Sequence, residues 1–149
     1  MMIVEKVMLL RSVGIFASVA DEYLTDVAQR AGEVRLAAGE TLFEKDDPGT
    51  MLYVIVNGRI RIHANQVTLA ELGELETVGE MAALDPERRS ASATAIDDTY
   101  LLSLSHRDIR ELMEIDVEVA IGIVRVLCRR LRAANLRNTP GTPERREGG

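Results

Sequence analysis

A short stretch between residues 78 and 91 holds the residue types that could do chemistry together. Gly79 precedes the carboxylate Glu80 and the small-residue run Met81-Ala82-Ala83-Leu84, and Arg89-Ser90-Ala91 follows just behind. A glycine has no Cβ, so Gly79 allows a tight turn and a close backbone approach to a ligand. Asp85-Pro86 stops any helix after little more than one turn. A helix start presents unpaired N–H groups and a partial positive charge, so the amides of Met81 and Ala82 are candidate anion donors. Arg89 adds a forked, permanently charged donor for the same anion. Glu80 cannot bind phosphate, but as an acceptor it suits a sugar hydroxyl. These groups describe a pocket for a ribose-phosphate. The plainer alternatives are a surface ion pair of Arg89 with Glu87 or the nearby aspartates, and a Glu80 that merely favours a helix dipole. Arg88 reads as the solvated member of its pair.

Gly79-Glu80-Met81-Ala82 with Arg89-Ser90-Ala91 ten residues on resembles the phosphate-binding cassette of the cyclic-nucleotide-binding domain family, which includes the catabolite activator protein and protein kinase A regulatory subunits. Ala38-Gly39-Glu40-Thr41-Leu42-Phe43 and the run from Asp47-Pro48-Gly49 to Asn57-Gly58-Arg59-Ile60 are similar to that family's early strands and glycine turns. The resemblance covers residues 12–134. It implies a cyclic mononucleotide, cAMP or cGMP, as ligand, with no further cofactor. The phosphate would sit on the Met81 and Ala82 amides and on Arg89, assisted by Ser90 and Ala91, and the ribose on Glu80. The base would lie against the strands under the last helix, with Arg132 or Asn135 as contacts. The hydroxyl of Ser90 is compatible with either base. Just before the cassette, Leu75 stands where the family carries a glycine and Val78 where it carries an aromatic residue. With Glu74 and Glu76, these favour a second reading, a ligand-free interaction or dimerisation domain of the same fold.

The surrounding elements must position this stretch. Ile3, Val7 and Leu10 recur at helical spacing and predict a short N-terminal helix within residues 1–11. Ser18 with Asp21 has the outline of a capping box, and Gly32 is expected to end the helix that follows. From Glu33 to Leu104 short strands alternate with turns, and Asn57-Gly58 is the strongest hairpin signal. Ala91, Ala93 and Ala95 predict a tightly packed inner face. Ser105 and Asp116 are candidate caps for two further helices, the second running from about Val117 to Ala134. The expected fold is therefore mainly β with flanking α: an antiparallel β-barrel or jelly roll over residues 12–135, with N-terminal helices and a long C-terminal helix. Residues 136–149, with Thr139-Pro140-Gly141-Thr142-Pro143, read as a disordered tail.

The long helix carries two apolar lines. Val117, Ile121, Val124, Cys128 and Leu131 form one, and Ala120, Ile123, Leu127 and Ala134 the other. One stripe suffices to dock a helix. Two predict either one broad buried face or a further partner, a second copy of the helix or a fused or separate effector domain. Cys128 lies in the first line, so a packing role is expected for it.

The 149 residues and 46% hydrophobic content suit one globular domain. The net charge of −6 is uneven: seven arginines against two glutamates give residues 125–149 a charge of +5, so the remainder carries −11. An acidic body disfavours direct nucleic-acid binding, and no helix-turn-helix pattern follows the long helix. No apolar run approaches a membrane span, no signal sequence is evident at the N-terminus, and a single cysteine fits a reducing compartment, so the chain is expected in the cytoplasm. His63 and His106 have no spaced partner for a metal. No nucleophile–base arrangement appears, so an enzyme is not expected.

Overall fold

The computed structural model describes residues 1–138. Its elements are α1 (Ile3–Ser12), a 3-10 turn (Gly14–Phe16), α2 (Asp21–Arg30), β1 (Gly32–Leu36), β2 (Thr41–Phe43), β3 (Met51–Asn57), β4 (Ile60–Ala64), β5 (Val67–Leu72) and β6 (Thr77–Val78). These are followed by α3 (Met81–Leu84), β7 (Ser92–Ala95), β8 (Thr99–Ser105), α4 (His106–Ile115) and α5 (Val117–Asn138). Two four-stranded sheets, ordered β1-β8-β3-β6 and β2-β7-β4-β5, make the body, and every pairing is antiparallel. The first long strand pairs with the last, Gly32 opposite Ser103, so the chain wraps round on itself as a jelly roll does. The expected fold class is the one observed.

Burial follows the side-chain alternation of strands. On β8, Leu101 enters the core between the sheets with Ile55, Ile60, Leu72, Val78, Ala93 and Ala95. Leu102 and Leu104 point the other way, into a second core with Leu10, Phe16, Leu24, Ile109, Leu112 and Ile123 of the helical side. A strand buried on both faces reads as an apolar run, which explains Tyr100-Leu101-Leu102-Ser103-Leu104. Ala91, Ala93 and Ala95 are buried as expected.

Several local expectations are corrected. Asn57-Gly58 does not close a hairpin: β3 and β4 lie in different sheets, and the pair forms the corner between them. The two-residue hairpin lies at Asn65-Gln66, both left-handed at φ 51° and 69°, between the paired strands β4 and β5. Ser18 caps nothing; its hydroxyl donates to the Asp116 carboxylate at 2.7 Å, tying the N-terminal segment to the start of α5. Gly32 opens β1 instead of ending α2, which stops at Arg30. Ser105 does cap α4, accepting from the Asp108 N–H at 3.1 Å, and Asp116 accepts from the Glu118 N–H at 2.9 Å. The Asp108 side chain turns outward to Arg30 at 2.8 Å, which raises the arginine's pKa chiefly through that hydrogen bond. Helix α5 continues to Asn138, past the expected end at Ala134, so residues 136–138 are helix; the remainder of the expected tail, 139–149, lies outside the described residues.

Only part of α5 docks. Val119 and Ile123 are fully buried. The line Val117, Val124, Cys128 and Leu131 is exposed, and Cys128 is thus not packed within the chain.

Candidate functional site

The cassette forms one wall of a cavity of about 580 Å³ that α5 closes from the other side. Gly79, Glu80, Met81, Ala82, Arg89, Ser90 and Ala91 all line it, so the sequence-predicted groups are brought together. Phe43, Ile62, Leu69, Ala70 and Leu72 make an apolar strand wall, and Leu127, Arg130, Leu131, Ala133 and Ala134 the helix wall. Arg132 and Asn135, expected against the base, are not among the lining residues. Both are exposed, because the helix presents the Leu127/Ala134 line inward instead.

Arg89 is the centre of the site. Its main chain is strapped to the loop before β3: the Arg89 N–H donates to the Asp47 carbonyl at 2.7 Å, and the Asp46 N–H to the Arg89 carbonyl at 2.8 Å. The side chain is only 8% exposed. One guanidinium N–H donates to the Met51 carbonyl at 3.0 Å, and the guanidinium lies 4.0 Å above the Phe43 ring, a cation–π contact. Among the described residues no carboxylate forms an ion pair with Arg89, and its Nε is buried without an acceptor. The plainer reading as a partner of Glu87 therefore does not hold, whereas Arg88 is exposed and donates to the Asp46 carbonyl. Burial pushes the Arg89 pKa below the ordinary arginine value, with Tyr53, Asp47 and Glu80 opposing that shift. An arginine nevertheless stays protonated, so this is a desolvated cation short of an anion.

Two glycines make room for it. A Cβ on Gly49 would stand 2.1 Å from the Arg89 Nε, and one on Gly79 would stand 2.5 Å from a terminal guanidinium nitrogen. Gly79 also has φ +81°, a conformation that side chains disfavour. The turn after it is tightly bonded: the Ala82 N–H donates to the Gly79 carbonyl and the Ala83 N–H to the Glu80 carbonyl, both at 3.1 Å. The Ala82 amide is thus spent within the turn and is not the open donor expected. Exposed Ser90 rests its hydroxyl on the Met81 sulfur at 3.7 Å.

Glu80 is not the exposed helix-start carboxylate of the plainer reading. It is 6% exposed and accepts from the Thr77 hydroxyl at 3.2 Å and from Arg130 at 2.5 Å. A second Arg130 N–H reaches the Thr77 carbonyl at 2.6 Å. Arg130 therefore clasps α5 to the cassette. Sequence reasoning missed it by counting it only among the basic residues of the C-terminal end. The available signal was spacing: Arg130 lies three residues after Leu127 and four before Ala134, on the inward line of the helix.

The two histidines play no part here. His63 shares a 2.8 Å hydrogen bond with Thr94 across the sheet, and burial lowers its pKa, with Arg61 adding to the effect. Among the described residues no group of three His, Cys, Asp or Glu side chains is placed to hold a metal, and no helix is long and apolar enough to cross a membrane.

A jelly roll flanked by helices, with a glycine-framed turn that offers one buried arginine and one buried glutamate to a half-open cavity, defines a small-molecule-binding domain. The family pattern described as "Cyclic nucleotide-binding domain" matches residues 33–116, and the chain belongs to that family. It is 40% identical over 103 residues to the "Cyclic AMP receptor protein" of Thermus thermophilus, a match spanning 66% of this chain and 48% of that one. The chain thus spans about half the length of that relative. The N-terminal domain of a transcriptional regulator from Streptomyces coelicolor superposes with a TM-score of 0.66 at 34% identity, covering 91% of this chain and 98% of that one. The regulatory domain of Toxoplasma gondii PKA, crystallised with cAMP, shares the fold at a TM-score of 0.71 and 17% identity, covering 80% of this chain and 47% of the other. The family is a regulatory ligand-binding domain.

Proposed function

We propose that this chain is a sensor module that binds cAMP or cGMP in the cavity between the cassette and α5, in the cytoplasm, and signals through the placement of α5. The observation that carries this reading is Arg89: a buried guanidinium with an unpartnered Nε and, among the described residues, no carboxylate paired with it, facing a cavity of about 580 Å³. The cyclic phosphate supplies the missing anion, with the Met81 amide and the Ser90 hydroxyl beside it and the backbone of Ala91 behind. The ribose hydroxyl donates to Glu80, whose carboxylate has lone pairs enough to keep Arg130 as well. The base lies between Ile62, Leu69 and Leu72 and the helix line Leu127, Leu131 and Ala134. Because Arg130 joins α5 to the residue that meets the ribose, the ligand's preference for one helix placement becomes a shift in the population of placements. An effector domain, fused or separate, would read that shift.

A second reading, a ligand-free interaction domain, is favoured by one observation: Glu80 already has two donors within the chain. Thermal melts separate the two. Wild type and Arg89→Ala are heated with cAMP, cGMP and 5′-AMP. Ligand at ~100 times its dissociation constant adds about 2.7 kcal/mol, a rise of several degrees for a protein of this size. A rise with one cyclic nucleotide that is absent in Arg89→Ala identifies the signal. The affinity loss expected from removing a partner of a buried ionic contact, roughly 2–5 kcal/mol, is about 30- to several-thousand-fold. No rise with either cyclic nucleotide in folded protein overturns the sensor reading.

A further inference from the structure

A second half-open cavity, of about 550 Å³, borders the first. Ala70, Leu72, Arg130 and Ala133 line both, but no residue of the cassette from Gly79 to Ala91 lines the second. Its own walls are the 3-10 turn at Ile15, the β5–β6 loop at Leu75 and Glu76, and α5 at Arg125, Val126 and Arg129. That loop is where the sequence departs from the related domains, with Leu75 in place of a glycine. Leu75 is held left-handed at φ 68° because its N–H donates to the Ile55 carbonyl at 2.8 Å, while the Ile55 N–H donates to the Glu76 carbonyl at 3.0 Å. The sheet thus fixes a backbone that leucine disfavours, and a 39% exposed leucine lines the cavity as a result.

The charges around this cavity are unevenly spent. Glu71 pairs with Arg59 at 3.9 Å, and the Glu76 carboxylate accepts from the Gly73 N–H at 2.8 Å. Arg130 is taken by Glu80 and the Thr77 carbonyl. Arg125 and Arg129, in contrast, make no hydrogen bond or ion pair among the described residues. They stand one helical turn apart, a like-charged spacing that disfavours the helix. An anion shared between the two guanidinium forks relieves that repulsion and gains charge-assisted hydrogen bonds. The lining beside them is apolar, through Val13, Ile15, Leu72, Leu75 and Val126, and suits a ligand with an apolar body. Glu71 and Glu76 stand against a doubly charged head and so favour a carboxylate over a phosphate. We propose that this cavity is a second binding site, for a small aliphatic carboxylate held at its head by Arg125 and Arg129. The inference does not depend on which ligand the cassette takes.

The full chain is titrated calorimetrically with octanoate, with octanol as the uncharged match and sulfate as the anion without an apolar body. Octanoate should bind, and the two controls should bind more weakly by roughly 10-fold or more. Arg125→Ala with Arg129→Ala should lose a similar factor. It should keep the fold by circular dichroism, since both side chains are exposed and unpartnered. Leu75→Asn, which suits the left-handed backbone but removes the apolar side chain, should weaken octanoate several-fold. Arg89→Ala should leave octanoate binding unchanged, because Arg89 lines only the cassette cavity. Octanoate binding that vanishes in Arg89→Ala places the carboxylate in the cassette and overturns the second site. No octanoate binding, binding untouched by the double arginine variant, or binding matched by octanol or by sulfate overturns it as well.

Discussion

The cavity has two walls of different construction. On the barrel side, Arg89 is seated from several directions at once by parts of the sheets and their loops: the Met51 carbonyl, the Phe43 ring, the Asp46–Asp47 strap and the space left by Gly49 and Gly79. Two of those groups are fixed by antiparallel pairing, Phe43 opposite Ala93 and Met51 opposite Ser105. On the helix side, α5 is held by the buried Val119 and Ile123 near its start, and towards the cavity by the Arg130 clasp. Most of its remaining surface is exposed. The barrel wall is built from paired strands and their loops, whereas the helix wall docks through one side of α5, where Gly122 meets Ile15 and Val126 and Leu127 pack on the helical-side core. Under the proposed sensor reading, recognition would belong to the first and response to the second.

The contrast is sharpened most by altering the seat of Arg89 without altering its charge. Gly49→Ala drives a Cβ into the guanidinium, a flexible side-chain end that can swing aside, so the fold should survive while the anion geometry is lost. The expected loss of cyclic-nucleotide affinity is roughly 10- to 150-fold, from about 1.5–3 kcal/mol for hydrogen bonds to a charged group. Calorimetric titration measures it, and an unchanged affinity would show that the barrel wall is not preset by that glycine.

On the helix wall the matching change is Arg130→Ala. It removes two hydrogen bonds and leaves the Glu80 carboxylate with Thr77 alone. Because Arg130 is a quarter exposed, solvent softens the loss to about 1–2 kcal/mol. Amide hydrogen exchange over residues 127–138 should accelerate roughly five- to thirtyfold, with β3 and β8 unchanged. Faster exchange in both regions would mean that the two walls are one cooperative unit.

The smallest effect is expected next to the cassette. Leu75, where related domains carry glycine, sits in the left-handed region at φ 68° and is 39% exposed. Leu75→Gly relieves a conformational cost of about 1–2 kcal/mol and loses part of it again to the flexibility of glycine in the unfolded chain. A net gain of about 0.5–1 kcal/mol raises the melting temperature by roughly 1–4 °C. A drop on melting would show that the Leu75 side chain contributes more by packing than its backbone costs.

Much of this was legible without coordinates, for identifiable reasons. Gly79, Glu80, Arg89 and Ser90 are close in sequence, so their order alone pointed to one site, and all four do line one cavity. The caps Ser105 and Asp116 act within two or three residues and were read correctly. Asn57-Gly58 misled because a glycine turn is the same local event whether the next strand pairs back or crosses to the other sheet. Gly32 and Ser18 misled likewise, since what each meets, Ser103 or Asp116, lies far along the chain.

By itself, then, the sequence determined the jelly-roll class, the cassette and the existence of two apolar lines on the last helix, because periodicity and turn chemistry are local properties. Tertiary structure alone decided which of those lines docks, that Arg130 holds Glu80, and that Arg89 is a buried cation without a carboxylate partner among the described residues. Those are outcomes of long-range packing, in which residues 38 to 53 apart share the same space and the same hydrogen bonds.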